Sequence, residues 1–110
     1  MIDWGRLADL RAEIGDADLS DVVRLFLEEA DEIVSRLNRG IPDAQLQAEL
    51  HFLKGAALNL GLKDLARLCQ EGERQADQHN ASGVDVARIV TVYQASRTAY
   101  LGALAESQTG

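Results

Sequence analysis

The sequence predicts an all-α protein: an antiparallel up-down-up-down four-helix bundle with a short N-terminal helix across one end. Apolar residues recur at helical spacing along nearly the whole chain, and the alternation typical of β-strands never persists. Glycine, proline and short polar clusters interrupt this pattern at only a few places. The 110 residues suffice for one domain. Long amphipathic helices with short connections must cover one another's apolar faces, which a bundle achieves.

The first two predicted helices are separated by a break at Gly15–Asp18. The first covers about Asp3 to Ile14 and is too short to be a member of the bundle. The second spans about 18–38 and carries the apolar stripe Leu19, Val22, Phe26, Ala30, Ile33 and Leu37. Gly40 and Pro42 follow it, as expected for a glycine after a helix end and a proline in the next first turn.

The last three predicted helices complete the bundle. The third spans about 42–60 and ends at Gly61, and the fourth spans about 62–78. A polar loop that ends at Gly83 precedes the last helix, which spans about 84–106. Residues 1–110 are therefore expected to form a single domain, and a monomer, because the bundle itself consumes the apolar stripes.

Composition narrows the range of partners and locations. The net charge of −7 disfavours nucleic acid and anionic membrane surfaces as partners. The sequence contains no apolar run long enough to span a membrane. Its single cysteine permits no intrachain disulfide. We therefore expect a cytoplasmic protein.

The third helix has one core face and one unusual outer face. At about 100° per residue, its core positions cluster within about 40° of one direction; they are Leu46, Leu50, Leu53, Ala57 and Leu60. His51 then points about 140° away from the core, with Ala44, Ala48 and Gly55 on the same outward face. A glycine inside a helix costs about 0.5–1 kcal/mol relative to alanine. This face lacks long side chains, so another protein's backbone could approach the imidazole closely.

An accessible imidazole with a nearby cation suggests phosphoryl transfer. A neutral ring nitrogen of His51 is a competent nucleophile. Lys54 lies three residues later on the helix surface and can bring an ammonium to phosphoryl oxygens. Such transfers rely on alignment and on charge neutralisation. The Mg²⁺ and the aspartate that they use are missing from this face, so a partner would have to bring them.

The segment His51–Gly61 resembles the signature of histidine-containing phosphotransfer (HPt) domains. In that signature, His-x-Leu-Lys-Gly is followed by small residues and by a glycine that ends the helix. Residues 23–30 and 62–70 are similar to the preceding and following helices of the family. Gly72 is a departure, because the family usually has a larger apolar residue there. The fold of the family is the same helical bundle.

The resemblance implies a phosphorelay intermediate in two-component signalling. Such domains take a phosphoryl group from an aspartate of a receiver domain, in a response regulator or hybrid histidine kinase, and pass it to another receiver. His51 would be the phosphoacceptor, Lys54 the charge partner and Gly55 the position that gives the partner access. No nucleotide-binding segment is recognisable in the chain, so we expect a phosphoryl carrier rather than an enzyme. We expect no cofactor of its own, and Mg²⁺ on the partner receiver.

The surface that docks the partner is expected to include Ala44, Ala48 and Leu58, together with Leu25 on the flank of the second helix. A second hypothesis is an adaptor module that binds receiver domains or kinases without being phosphorylated. A metal or cofactor site within the bundle is disfavoured, because such sites project inward and His51 points outward.

Overall fold

The computed structural model describes residues 2–109, with side chains through residue 105, and these residues are almost entirely helical. The four helices are α1 (Trp4–Arg39), α2 (Asp43–Leu60), α3 (Lys63–Asp77) and α4 (Val86–Thr109), with a 3₁₀ turn at Ala81–Gly83. No β-strand occurs between residues 2 and 109, where the only extended pairing is an isolated bridge from Ile2 to Leu62. The predicted all-α class is confirmed.

The first predicted break is a kink at one residue. The sequence suggested two helices separated by Gly15–Asp18, but α1 runs through this segment and only Gly15 leaves the helical region, at φ 80° and ψ 160°. Glycine adopts this conformation without the clash that a Cβ would cause. Helical geometry resumes at Asp16, whose carboxylate lies 2.9 Å from Arg11 Nε on the other side of the kink. The short N-terminal helix is therefore the first part of α1.

A glycine also sets the connection between α2 and α3. Gly61 has φ 80° and ends α2 in the left-handed conformation. Its carbonyl accepts a hydrogen bond of 2.6 Å from the backbone N–H of Asp3. A Cβ built on Gly61 would lie 2.7 Å from the Asp3 carbonyl oxygen. Both conformation and space therefore require glycine here.

The first turn of α1 makes further contacts at this end of the molecule. Arg6 Nε donates a 3.1 Å hydrogen bond to the carbonyl of Asn59. The Trp4 ring stacks on Tyr100 of α4, with 6.3 Å between the ring centroids. The start of α1 is thus attached to the end of α2 and to α4.

The helices pack in ring order. The backbone of α1 lies next to those of α2 and α4, and α3 lies next to the same two helices, whereas no Cα atom of α2 comes within 8 Å of one in α4 among the described residues. Between residues 2 and 109, no helix has both the length and the hydropathy needed to cross a membrane.

The core matches the predicted stripe of α2 more closely than that of α1. All five predicted core residues of α2 are buried. In α1, Val23 and Leu27 are buried, whereas the predicted Val22 and Phe26 are only partly covered. The physical reason is that α1 packs against two neighbours, so its buried face points between α2 and α4.

Two buried tyrosines of α4 differ in hydrogen bonding. The Tyr93 hydroxyl donates to the Asp31 carboxylate of α1, which also accepts from Arg97 Nε at 2.9 Å and Nη2 at 3.1 Å. The Tyr100 hydroxyl has no hydrogen-bond partner among the described side chains. Burial raises the pKa of Tyr100 to about 12. Burial, reinforced by the hydrogen bond to Asp31, raises the pKa of Tyr93 further still.

We expect the two tyrosine-to-phenylalanine variants to change stability in opposite directions. Tyr100→Phe should raise the free energy of unfolding at pH 7 by about 1 kcal/mol, because it removes an unpaired buried hydroxyl. Tyr93→Phe should lower it by about 1–3 kcal/mol, because it removes a hydrogen bond to a carboxylate. Urea denaturation followed by circular dichroism measures both values, and a destabilised Tyr100→Phe would contradict the assignment.

The same variants should change the response to alkaline pH. An unfolded tyrosine ionises near pH 10, whereas the folded chain retains both phenolic protons at higher pH. Because the unfolded chain releases these protons at a lower pH than the folded chain, the free energy of unfolding is unaffected by them below about pH 10 and falls as the pH rises above it. Each phenylalanine variant should reduce this alkaline loss of stability.

Candidate functional site

His51 lies on the outer surface of α2, as its helical position predicts. Leu50 and Leu53 on the opposite face are fully buried, so the core fixes the rotation of the helix about its axis. The His51 side chain is 66% exposed. The imidazole is therefore accessible to another protein.

A glutamate from α3 joins the two predicted polar residues of the site. Glu73 Oε1 lies 3.0 Å from His51 Nδ1, and Glu73 Oε2 lies 3.1 Å from Lys54 Nζ. The Lys54 and Glu73 side chains are 21% and 16% exposed, so they are largely shielded from solvent. One carboxylate thus bridges the imidazole and the ammonium.

Glu73 was not predicted from the sequence. Lys54 was expected to approach the ring of His51 directly, but its ammonium reaches toward α3. One signal could have found the glutamate: Glu73 lies about as far after Gly61 as His51 lies before it. A sharp turn at Gly61 therefore brings the two positions opposite each other.

The contact with Glu73 determines what the imidazole offers a partner. An ionised carboxylate can only accept hydrogen bonds, so Nδ1 must be the donor. In the neutral ring the proton then sits on Nδ1, and Nε2 carries the lone pair. This arrangement presents Nε2 as the nucleophilic atom.

The surface around His51 is made mostly of small and apolar side chains, and the longer polar side chain of Gln47 also lines it. Gly55 is exposed, and a Cβ built on it has no atom within 4 Å. Ala44, Ala48 and Phe52 line a shallow depression beside His51 and Glu73. Phe52 is 57% exposed, and its ring centroid lies 6.2 Å from that of the imidazole. Phe52 was not predicted as a site residue from the sequence, although its helical position, well away from the core direction, indicates exposure.

The other predicted docking residues lie outside this depression. Leu58 is 58% exposed near the end of α2, and Leu25 is 65% exposed on α1. Neither lines the depression around His51. Of the predicted surface, the structure brings together Ala44, Ala48, His51 and Gly55, and it leaves Leu25 on a separate helix.

A polar groove on the α3 side of the site has a less negative charge than the chain as a whole. Its cationic residues are Lys54, Arg67 and Arg74, and its acidic residues are Glu71, Glu73 and Asp77. The formal charges of this groove balance, whereas the whole chain carries −7. A phosphoryl group near His51 therefore meets less repulsion than the net charge suggests.

Among the side chains through residue 105, no group of three or more histidine, cysteine, aspartate or glutamate residues could hold a metal ion. The single cysteine, Cys69, is buried and free. Burial raises the pKa of its thiol to about 12.

The chain was compared with protein families, curated proteins and solved structures. The family model of the Hpt domain matches residues 21–104. No curated protein and no solved structure gave a significant match. Hpt domains carry out histidine phosphotransfer in two-component phosphorelays and generally interact with receiver domains. The match covers most of the chain, including all of α2 and α3, most of α4, the second half of α1 and the histidine site, and on this basis the chain belongs to the Hpt domain family.

Proposed function

We propose that this chain is a phosphorelay intermediate that carries a phosphoryl group on His51 Nε2. It would accept the group from the aspartyl phosphate of one receiver domain and donate it to the aspartate of another. The observation that carries this proposal is the hydrogen bond between Glu73 and His51 Nδ1, which leaves Nε2 free on an exposed ring.

In the accepting step, the lone pair of Nε2 attacks the phosphorus atom. The N–P bond forms as the bond between phosphorus and the aspartate oxygen breaks, and the aspartate leaves as a carboxylate. The ring keeps its Nδ1 proton and becomes positively charged. The Glu73 carboxylate, 3.0 Å from Nδ1, stabilises this charge. Donation is the reverse step, in which a receiver aspartate attacks phosphorus and the neutral imidazole leaves.

Lys54 contacts the phosphoryl group, and Gly55 gives the partner access to the ring. The Lys54 ammonium is 3.1 Å from Glu73, and a rotation of its flexible stem carries it to the phosphoryl oxygens. Gly55 leaves open space beside the ring, through which the receiver's active-site loop approaches. Ala44, Ala48 and Phe52 form the nearest docking surface, and Leu58 and Leu25 extend it.

The chain acts as a carrier and not as an enzyme in this proposal. Phosphoryl transfer needs in-line alignment and neutralised charge, which the receiver supplies together with its Mg²⁺. Our chain contributes the nucleophile and one cation and needs no cofactor of its own. The adaptor hypothesis predicts the same binding without covalent transfer.

We further propose that the four helices run up-down-up-down. Arg36 of α1 contacts Glu49 of α2 near the connection of the two helices. Gln47 pairs with Asp77, and Lys54 pairs with Glu73; these pairings support antiparallel α2 and α3. The contacts of Trp4 and Arg6 support an N-terminal segment across one end.

We also propose that the chain is a monomer in the cytoplasm. A monomer fits the burial of the apolar stripes within the bundle, and a cytoplasmic location fits the free thiol.

Transfer from a labelled receiver tests the proposed function. A receiver domain carrying radioactive aspartyl phosphate is mixed with the chain, and the label is followed after rapid quenching. The label should move to the chain and should be labile to acid and stable to base, as a phosphoramidate is. A stable complex without transferred label would favour the adaptor hypothesis and overturn the proposal.

Lys54→Ala should slow transfer without preventing it. The variant keeps His51 and the fold but removes the cation that meets the phosphoryl oxygens. We expect a loss of about 10-fold, the effect of a contact worth about 1.4 kcal/mol in the transition state. Lys54→Arg should recover part of the rate, because its planar guanidinium places the donors differently. Rapid-quench kinetics measures both, and an unchanged rate for Lys54→Ala would make the lysine a structural partner of Glu73 only.

A further inference from the structure

The residue before Glu73 is a glycine that is enclosed by the core. Gly72 is buried in the middle of α3. A Cβ built on it would lie 2.8 Å from Leu50 Cδ1 and 3.2 Å from Val84 Cγ1. Carbon atoms normally pack at about 3.5–4.0 Å. The short distance between α3 and α2 is therefore possible only with glycine at position 72. Any larger residue there would require the neighbouring side chains or helices to move.

This close contact is adjacent to the functional site in both helices. Leu50 immediately precedes His51, and Gly72 immediately precedes Glu73. Leu50 is fully buried, so it has little room to move away. The separation of the two helices at Gly72 and Leu50 therefore determines how far the Glu73 carboxylate extends across the groove.

The Glu73 carboxylate must span two partners at once. Its two oxygens lie 3.0 Å and 3.1 Å from His51 Nδ1 and Lys54 Nζ. Hydrogen bonds weaken steeply as geometry departs from these values. A displacement of α3 relative to α2 would lengthen or misalign at least one of the two contacts.

We propose that Gly72 is a positioning residue for phosphoryl transfer. Its missing side chain sets the distance between α2 and α3 at which Glu73 holds His51 Nδ1 and Lys54 together. This role rests on the proposed function of His51, although its effect on the imidazole is measurable without any transfer.

The principal test compares Gly72→Ala with the native chain by nitrogen NMR of the imidazole and by transfer kinetics. We expect the population with the proton on Nδ1 to fall and the transfer rate to drop by about 10-fold or more, the effect of losing a hydrogen bond to a charged group. Gly102→Ala is the matched control, because it makes the same change on α4 at a position where the added Cβ, unlike one at Gly72, meets no atom within 4 Å. It should change neither quantity.

Two further variants separate positioning from general packing. Gly72→Ala combined with Leu50→Val removes the clashing Cδ1 and should restore the Nδ1–H population and much of the rate. In a Glu73→Ala background, Gly72→Ala should have little additional effect on the rate, because the hydrogen-bond acceptor that it displaces is already absent. The double variant also keeps the test valid if Gly72→Ala alone does not fold.

The possible results are distinguishable. Unchanged nitrogen shifts and an unchanged rate in a folded Gly72→Ala would overturn the proposal and leave Gly72 as a packing residue. Additive effects of Gly72→Ala and Glu73→Ala would also overturn it. If the native chain accepts no phosphoryl group, the proposed function fails, while the nitrogen shifts still decide whether Gly72 positions Glu73.

Discussion

His51→Gln should abolish phosphoryl acceptance while leaving the fold intact. The amide nitrogen of glutamine has no free lone pair, so the variant lacks a nucleophile. Its NH₂ group can still donate to Glu73, which preserves the polar contact below the surface. Because the native side chain is 66% exposed, the substitution disturbs no packing. The rate of label transfer should fall to background, a loss of at least about 10³-fold.

The chain supplies a matched control for this experiment. Of its two histidines, His79 is the other, and it lies exposed in the turn after α3. His79→Gln makes the same chemical change outside the site and should be labelled as fast as the native chain. Label that persists in His51→Gln and disappears in His79→Gln would refute the assignment.

Gly55→Gln should have the second largest effect, a loss of about 100-fold in transfer. A reacting group displaced by about 1 Å can lose about 10²-fold in rate. The glutamine side chain would occupy the open space one turn from His51 and hold the receiver away from Nε2. Stopped-flow transfer from a phosphorylated receiver measures the effect.

Variants at position 55 separate an effect on folding stability from an effect on the approach of the receiver to His51. Gly55→Ala should raise the free energy of unfolding by about 0.5–1 kcal/mol, because alanine favours the helix and meets no neighbouring atom. Gly102→Gln places the same side chain at an open helical position of α4 and should leave transfer unchanged. An unfolded Gly55→Gln variant would contradict the exposed position of this glycine.

The sequence predicts best what depends on local periodicity. The outward direction of His51 and Gly55 follows from the burial of Leu50 and Leu53 on the same helix, because a regular helix fixes the relative directions of its side chains. The ends of α2 at Pro42 and Gly61 follow from equally local backbone preferences.

What the sequence did not predict depends on contacts between helices. Glu73 is remote in sequence from His51, and its role requires the distance between α2 and α3. The sequence predicted a break of four residues at Gly15–Asp18, whereas only Gly15 is non-helical, because a single kinked glycine and a longer break have similar signals. The burial of Val23 instead of Val22 depends on which neighbours cover α1. Each of these features is set by tertiary packing and not by periodicity.

The ring order of the helices also has an evolutionary consequence. α2 carries His51, the proposed phosphoacceptor, and α4 is the helix diagonal to it, with no Cα atom within 8 Å of one in α2 among the described residues. Exposed positions of α4 such as Ala95 and Thr98 therefore lie on the opposite side of the molecule from the chemistry. Mutations can accumulate there, or a new binding specificity can arise there, with no direct effect on His51. The fold thus allows the reactive surface to remain constant while the opposite surface diverges.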